Sequence, residues 1–120
     1  MTKEQAYHAF WAGFGWTTYD ENTVPDDAAM PRATYNVSVA EFGDPVANTV
    51  SLWDRTTSWA SVTNKANEIY AAIGLGGKLI PFDGGYIWIK RGTPFYQRMA
   101  DEDDSIRRIY INVEVEYFVT

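Results

Sequence analysis

Residues 109–119, IYINVEVEYFV, set Ile109, Ile111, Val113, Val115, Tyr117 and Val119 at every second position, with Tyr110, Asn112, Glu114, Glu116 and Phe118 between them. Successive side chains of a β-strand point to opposite faces, so this alternation predicts a strand with one core face and one partly polar face. Immediately upstream, Asp101, Glu102, Asp103 and Asp104 precede the pair Arg107 and Arg108. A calcium loop of the EF-hand type needs ligands at alternate positions, a glycine at the sixth and a glutamate at the twelfth, and DEDDSIRRIYIN has neither glycine nor glutamate there. The acidic run lies between FYQRM and IRRIYIN, both extended in pattern, so it reads as a solvated hairpin turn.

Working outward, KLIPF, YIWIKR and FYQRM read as three short extended segments, and the Asp83-Gly84 pair as a hairpin turn between the first two. ATYNVSVAEF and NTVSLWDR alternate in the same way around the turn residues GDPVA, which predicts an antiparallel hairpin. Two helices are expected. In the first, Thr2 and Gln5 have the spacing of a capping box, and Tyr7, Phe10, Trp11 and Phe14 share a face before Gly13 and Gly15 end it. In the second, Ser58 stands at the cap, Trp59, Val62, Ala66, Ile69, Tyr70 and Ile73 form the apolar stripe, and Gly74 closes the C-terminus. Residues 16–31, WTTYDENTVPDDAAMP, keep no period and read as a long loop. The resulting expectation is one α+β domain over residues 1–120, a mostly antiparallel sheet with two helices packed on one face.

The chain has 120 residues, a hydrophobic fraction of 46%, a charged fraction of 22% and a formal charge of -6, which suits a folded acidic domain and opposes general attraction to nucleic acid or anionic lipid. The absence of cysteine excludes thiol catalysis, thiolate metal sites and disulfides. No apolar run approaches the roughly 18 residues of a membrane span, and the opening MTKEQAYHAFWAGF lacks the order of a signal peptide, so a soluble protein made in a cytoplasm is expected.

Catalytic motifs do not emerge. GLGGK follows a helix instead of preceding one, and Leu79 stands where a phosphate loop needs Ser or Thr. His8, the single histidine, has no serine in a nucleophile-elbow context to serve. YIWIKRGTPFYQR mixes Tyr86, Trp88, Phe95 and Tyr96 with Lys90, Arg91 and Arg98 as a single-strand nucleic-acid platform would, but strand alternation splits Lys90 from Arg91 and the net charge opposes it. No catalytic, cofactor or metal residues are assigned.

The stretches ENTVPDDAAMPRATYNV, SLWDRTTSWASVTNKANEI and DGGYIWIKRGTPFYQRMADEDDSIRRIYINVEVEYF, in the order helix, hairpin, helix, terminal strands, resemble the small tail-terminator or tail-completion proteins of long-tailed bacteriophages and prophages. The resemblance implies a non-enzymatic virion subunit that assembles, typically as a six-membered ring, on the tail tube protein. There it ends tube polymerisation and presents a surface to the head connector. It implies localisation in the host cytoplasm during assembly and then in the virion neck. Asp101, Glu102, Asp103 and Asp104 on one side, and Lys90, Arg91, Arg107 and Arg108 on the other, are the expected opposing interface patches. Another phage neck or minor capsid protein, a small acidic binding module, and a metal-dependent enzyme using the acidic run are the competing readings.

Overall fold

The strand over residues 109–119 is the centre of the molecule. The computed structural model describes residues 1–39, 41 and 43–120. In chain order it contains α1 (Lys3–Ala12), β1 (Thr17–Asp20), β2 (Arg32–Tyr35), β3 (Val46–Arg55), α2 (Ala60–Ile73), β4 (Lys78–Phe82), β5 (Gly85–Met99) and β6 (Ile106–Val119). Among the described residues these strands form one sheet in the order β1-β2-β3-β6-β5-β4, antiparallel throughout except for the parallel pair β1–β2.

Ile109, Ile111, Val113 and Val115 of β6 are at most 1% exposed. They join one hydrophobic cluster with Val50 and Leu52 of β3, Ile87 and Ile89 of β5, Tyr7 and Trp11 of α1, and Val62, Ala66, Ile69 and Ile73 of α2. Removing each such aliphatic side chain from water stabilises the fold by about 1.5–3 kcal/mol before the entropy of ordering it is counted.

Both helices form where their end signals are. Thr2 Oγ1 accepts from the Gln5 amide at 3.2 Å while Gln5 Oε1 accepts from the Thr2 amide at 2.9 Å, a reciprocal capping box. Ser58 Oγ accepts from the Ala60 amide at 3.1 Å, one residue ahead of the cap position held by Trp59. Gly74, at a φ of 76°, closes α2 by donating its amide to the Tyr70 carbonyl.

Four expectations are corrected. The loop over 16–31 contains β1, whose Thr17 and Tyr19 register against Arg32 and Thr34 of β2. Four residues are too few to show a period, and the parallel pairing is made possible only by the return path over residues 21–31.

The strand expected over ATYNVSVAEF ends at Tyr35; Ala40 and Phe42 lie outside the described residues. Beyond Tyr35, the Asn36 amide still donates to the Thr49 carbonyl at 3.1 Å, and side-chain bonds join the two segments beside it. Asn36 Oδ1 accepts from the Thr49 amide at 2.8 Å and Asn48 Oδ1 from the Ser38 amide at 3.2 Å, leaving Val37 and Val39 exposed. Val46 and Ala47, expected in the turn, open β3 instead.

YIWIKR and FYQRM are one strand, β5, with a register irregularity between Arg91 and Tyr96. Pro94 has no amide to donate, and Asn112 Nδ2 donates to its carbonyl at 2.9 Å, so the strand passes through the irregularity with a side chain closing it. The Asp83-Gly84 turn stands where the sequence put it, with Gly84 at a φ of 89° between the paired residues Phe82 and Gly85.

Candidate assembly surface

The acidic run is the connection from β5 to β6. Its carboxylates hold the turn together rather than converging. Asp101 Oδ1 accepts from the Asp103 amide at 3.0 Å, and Asp103 Oδ1 accepts from both the amide and the hydroxyl of Ser105, at 2.9 and 2.6 Å. Arg55 Nη1 reaches Asp103 Oδ2 at 3.2 Å. The Ser105 hydroxyl and amide, then Arg55, hold the Asp103 carboxyl below its ordinary pKa. Glu102 and Asp104 are exposed, and among the described residues no group of three or more His, Cys, Asp or Glu side chains is arranged to hold a metal ion.

The four flagged basic residues occupy four different environments. Lys90 Nζ lies 3.0 Å from Glu116, 3.9 Å from Glu114 and 4.3 Å from the Trp88 ring centre, so its charge is more than matched on its own face. Arg91 points the other way and donates from Nε and Nη2 to the Tyr70 carbonyl at 3.0 and 2.7 Å, placing a cation at the negative end of α2. Arg107 Nη1 donates to the carbonyls of Asp104 and Ile106, and its guanidinium lies 5.5 Å from the Trp59 ring.

Arg108 lies on the face opposite the buried aliphatic residues. Its Nε and Nη2 donate to Ser51 Oγ at 3.2 and 2.9 Å. Its guanidinium sits 4.3 Å from the Trp53 ring centre and 5.6 Å from that of Tyr110.

Strand register brings a further arginine to the same ring. Arg32, Trp53 and Arg108 form one row across β2, β3 and β6, and the Arg32 guanidinium lies 5.4 Å from the Trp53 ring centre. Trp53 Nε1 donates to Thr34 Oγ1 at 3.1 Å, which fixes the indole. Arg32 Nη1 donates to the Ala28 carbonyl at 2.9 Å, and its Nε is buried without a hydrogen-bond partner. Among the described residues no carboxylate lies within 4.0 Å of either guanidinium.

Arg32 and Trp53 were missed because no motif marks them. Alternation in NTVSLWDR put Trp53 on the face opposite Leu52, but only the pairing register sets arginines on both sides of it.

The far end of this face is apolar and acidic. Cross-strand pairing lines up Leu79, Trp88 and Glu116 in one row and Pro81, Tyr86 and Phe118 in the next. Leu79 and Tyr86 are 58% and 45% exposed, while Trp88 packs against Phe118 with ring centres 6.4 Å apart. Between the two ends lies a hollow of about 390 Å³ bordered by Ala47, Gly92, Thr93, Asn112 and Glu114. Its lining offers no histidine, cysteine or serine, and its one carboxylate already faces Lys90.

His8 lies apart, on α1, with Nδ1 2.9 Å from the Tyr35 hydroxyl, and this contact fastens the helix to β2. Burial, and then Asp20, push the Tyr35 phenol above its ordinary pKa. Among the described residues no helix is long and apolar enough to cross a membrane. No protein-family model, curated protein or solved structure matches the chain.

Proposed function

We propose that this chain is a non-enzymatic structural subunit of a long-tailed phage or prophage. In this reading it caps the tail tube as a ring, ends tube polymerisation and offers the head connector its joining surface. The observation that carries the reading is the two-ended chemistry of the sheet face described above, with Arg32 and Arg108 around Trp53 at one end and Leu79, Tyr86, Glu114 and Glu116 at the other. A closed ring is built from a head-to-tail interface, which requires two different patches on each subunit. Both helices cover the opposite face in this reading, so the two-ended face is the one left for neighbours. The surplus of acidic residues suits a channel wall along which DNA moves without adhering. The subunit assembles in the host cytoplasm, as a hexamer, and ends in the virion neck.

Two measurements test this. Native mass spectrometry over a range of protein concentrations is expected to give one discrete closed oligomer. Electron microscopy of particles from phage lacking the gene is expected to show tails of abnormal length without heads; tails of normal length joined to heads would refute the proposal. A chain that stays monomeric and forms a stable complex with a host protein would favour an acidic binding module in its place.

A further inference from the structure

We infer that Arg32, Trp53 and Arg108 form a receptor for a carboxylate-bearing turn, and that its occupant is the Asp101–Asp104 segment of a second copy of this chain. The inference rests on the assembly reading above and, because Glu114 and Glu116 already face Lys90, assigns the arginine end the β5–β6 turn of a neighbour as its acidic partner.

Two guanidinium groups lie 5.4 and 4.3 Å from the centre of the same indole ring, so two like charges flank one side chain. Among the described residues they donate only to neutral acceptors, the Ala28 carbonyl and the Ser51 hydroxyl. Lys90 faces two glutamates and Arg55 faces Asp103; Arg98 and Arg107 also share one ring, that of Trp59, but beside the chain's own β5–β6 turn, where Arg107 donates to the Asp104 carbonyl. A guanidinium carries five N–H donors in a planar fork, and among the described residues Arg32 places only Nη1, and Arg108 only Nε and Nη2, on an acceptor. A carboxylate entering beside Trp53 would relieve the repulsion and accept from donors that are already oriented.

The chain presents such carboxylates in fixed form. The β5–β6 turn is stiffened from within by Asp101 and Asp103, which bond its own backbone, while Glu102 and Asp104 are exposed and take part in no ion pair among the described residues. A turn ordered before binding gives up little freedom on docking. Within one copy this turn is tied to Arg55, and Arg108 is drawn over Trp53 and Ser51, so the two halves of the contact are kept apart for a neighbour. Phosphate groups of nucleic acid are the weaker match, because the net charge of -6 repels a polyanion while a single turn is a local contact.

Complementary charge reversal tests this. In native mass spectrometry, R32E/R108E and, separately, E102K/D104K are each expected to raise the concentration needed for assembly at least about tenfold, and an equimolar mixture of the two is expected to recover mixed oligomers. Asp103 is left in place because it holds the turn. Where circular dichroism shows that R32E/R108E has lost its fold, R32Q/R108Q keeps the side-chain length and carries the same expectation.

Folded variants that assemble as the unaltered chain does would overturn this contact and leave the assembly reading standing. Loss from the arginine variants without loss from E102K/D104K would overturn the occupant, and a Trp53 indole signal that shifts with inorganic phosphate would identify a phosphate site instead. An unaltered chain that stays monomeric at every concentration, and fails to add to purified tail tubes, would overturn both.

Discussion

Asn48 Nδ2 donates to the hydroxyl of Tyr7 at 3.2 Å, joining β3 to α1 through two side chains that are 0% and 1% exposed. The same Asn48 receives the Ser38 amide through Oδ1, and the Tyr117 hydroxyl donates to the Ser38 carbonyl at 3.4 Å. One buried amide thus satisfies groups from two other segments, α1 and the chain beyond β2. Burial pushes the Tyr7 phenol well above its ordinary pKa, with Asn48 opposing the shift. Asn48→Ala is expected to lower stability by about 1–3 kcal/mol, because it leaves buried polar partners unmatched. A double-mutant cycle with Tyr7→Phe in urea is expected to give a coupling above about 0.5 kcal/mol; additive effects would show that the contact contributes nothing.

Gly92 sits where the backbone of β5 presses against β6. A Cβ there would stand 2.6 Å from the Asn112 carbonyl oxygen and 2.8 Å from its carbon. Gly92→Ala is expected to cost about 1–3 kcal/mol by forcing backbone apart. Gly76→Ala, at a position with nothing within 4 Å of the new methyl, is expected to stay within about 0.5 kcal/mol. Thermal unfolding of the two variants separates them, and equal midpoints would contradict the close approach.

Asp103 titrates below its ordinary value of 3.8, first through Ser105 and then through Arg55. Its pKa in the folded protein is lower than in the unfolded one. The stabilisation it gives is therefore complete above 3.8 and disappears as the pH falls through the folded value. Carboxyl NMR titration is expected to place Asp103 below its ordinary value. Ser105→Ala should move it up further than Arg55→Gln, and the reverse order would put the ion pair first.

Ile111 is 0% exposed and is paired with Val50 on one side and Tyr96 on the other. Ile111→Ala is expected to cost about 2–5 kcal/mol and Ile111→Val about 0.5–1.5 kcal/mol. Chemical denaturation of both variants checks the ratio, and a cost below 1 kcal/mol for alanine would remove β6 from the centre of the core.

The central strand, both helices, the Asp83-Gly84 turn and the acidic turn were legible because each depends on local chemistry: alternation, caps, or residues that favour turns. β1 was not, since four residues carry too little pattern and its partner β2 lies beyond an eleven-residue connection. The end of β2 was misread because Val37 and Val39 continue the alternation of a strand whose ladder Asn36 and Asn48 have already interrupted. The arginine row failed for a different reason. Arg32, Trp53 and Arg108 are far apart in the chain and meet only through the registers of two separate pairings.

The sheet ends in β1, four residues long, and β4, five residues long with Pro81 inside it and Lys78 at its start. Short borders carrying proline or lysine are poor templates for another chain's backbone. Edge-to-edge fusion of sheets into fibrils is thereby disfavoured, and ordered association is expected to run through side chains, whose charges a cell or an experimenter can reverse.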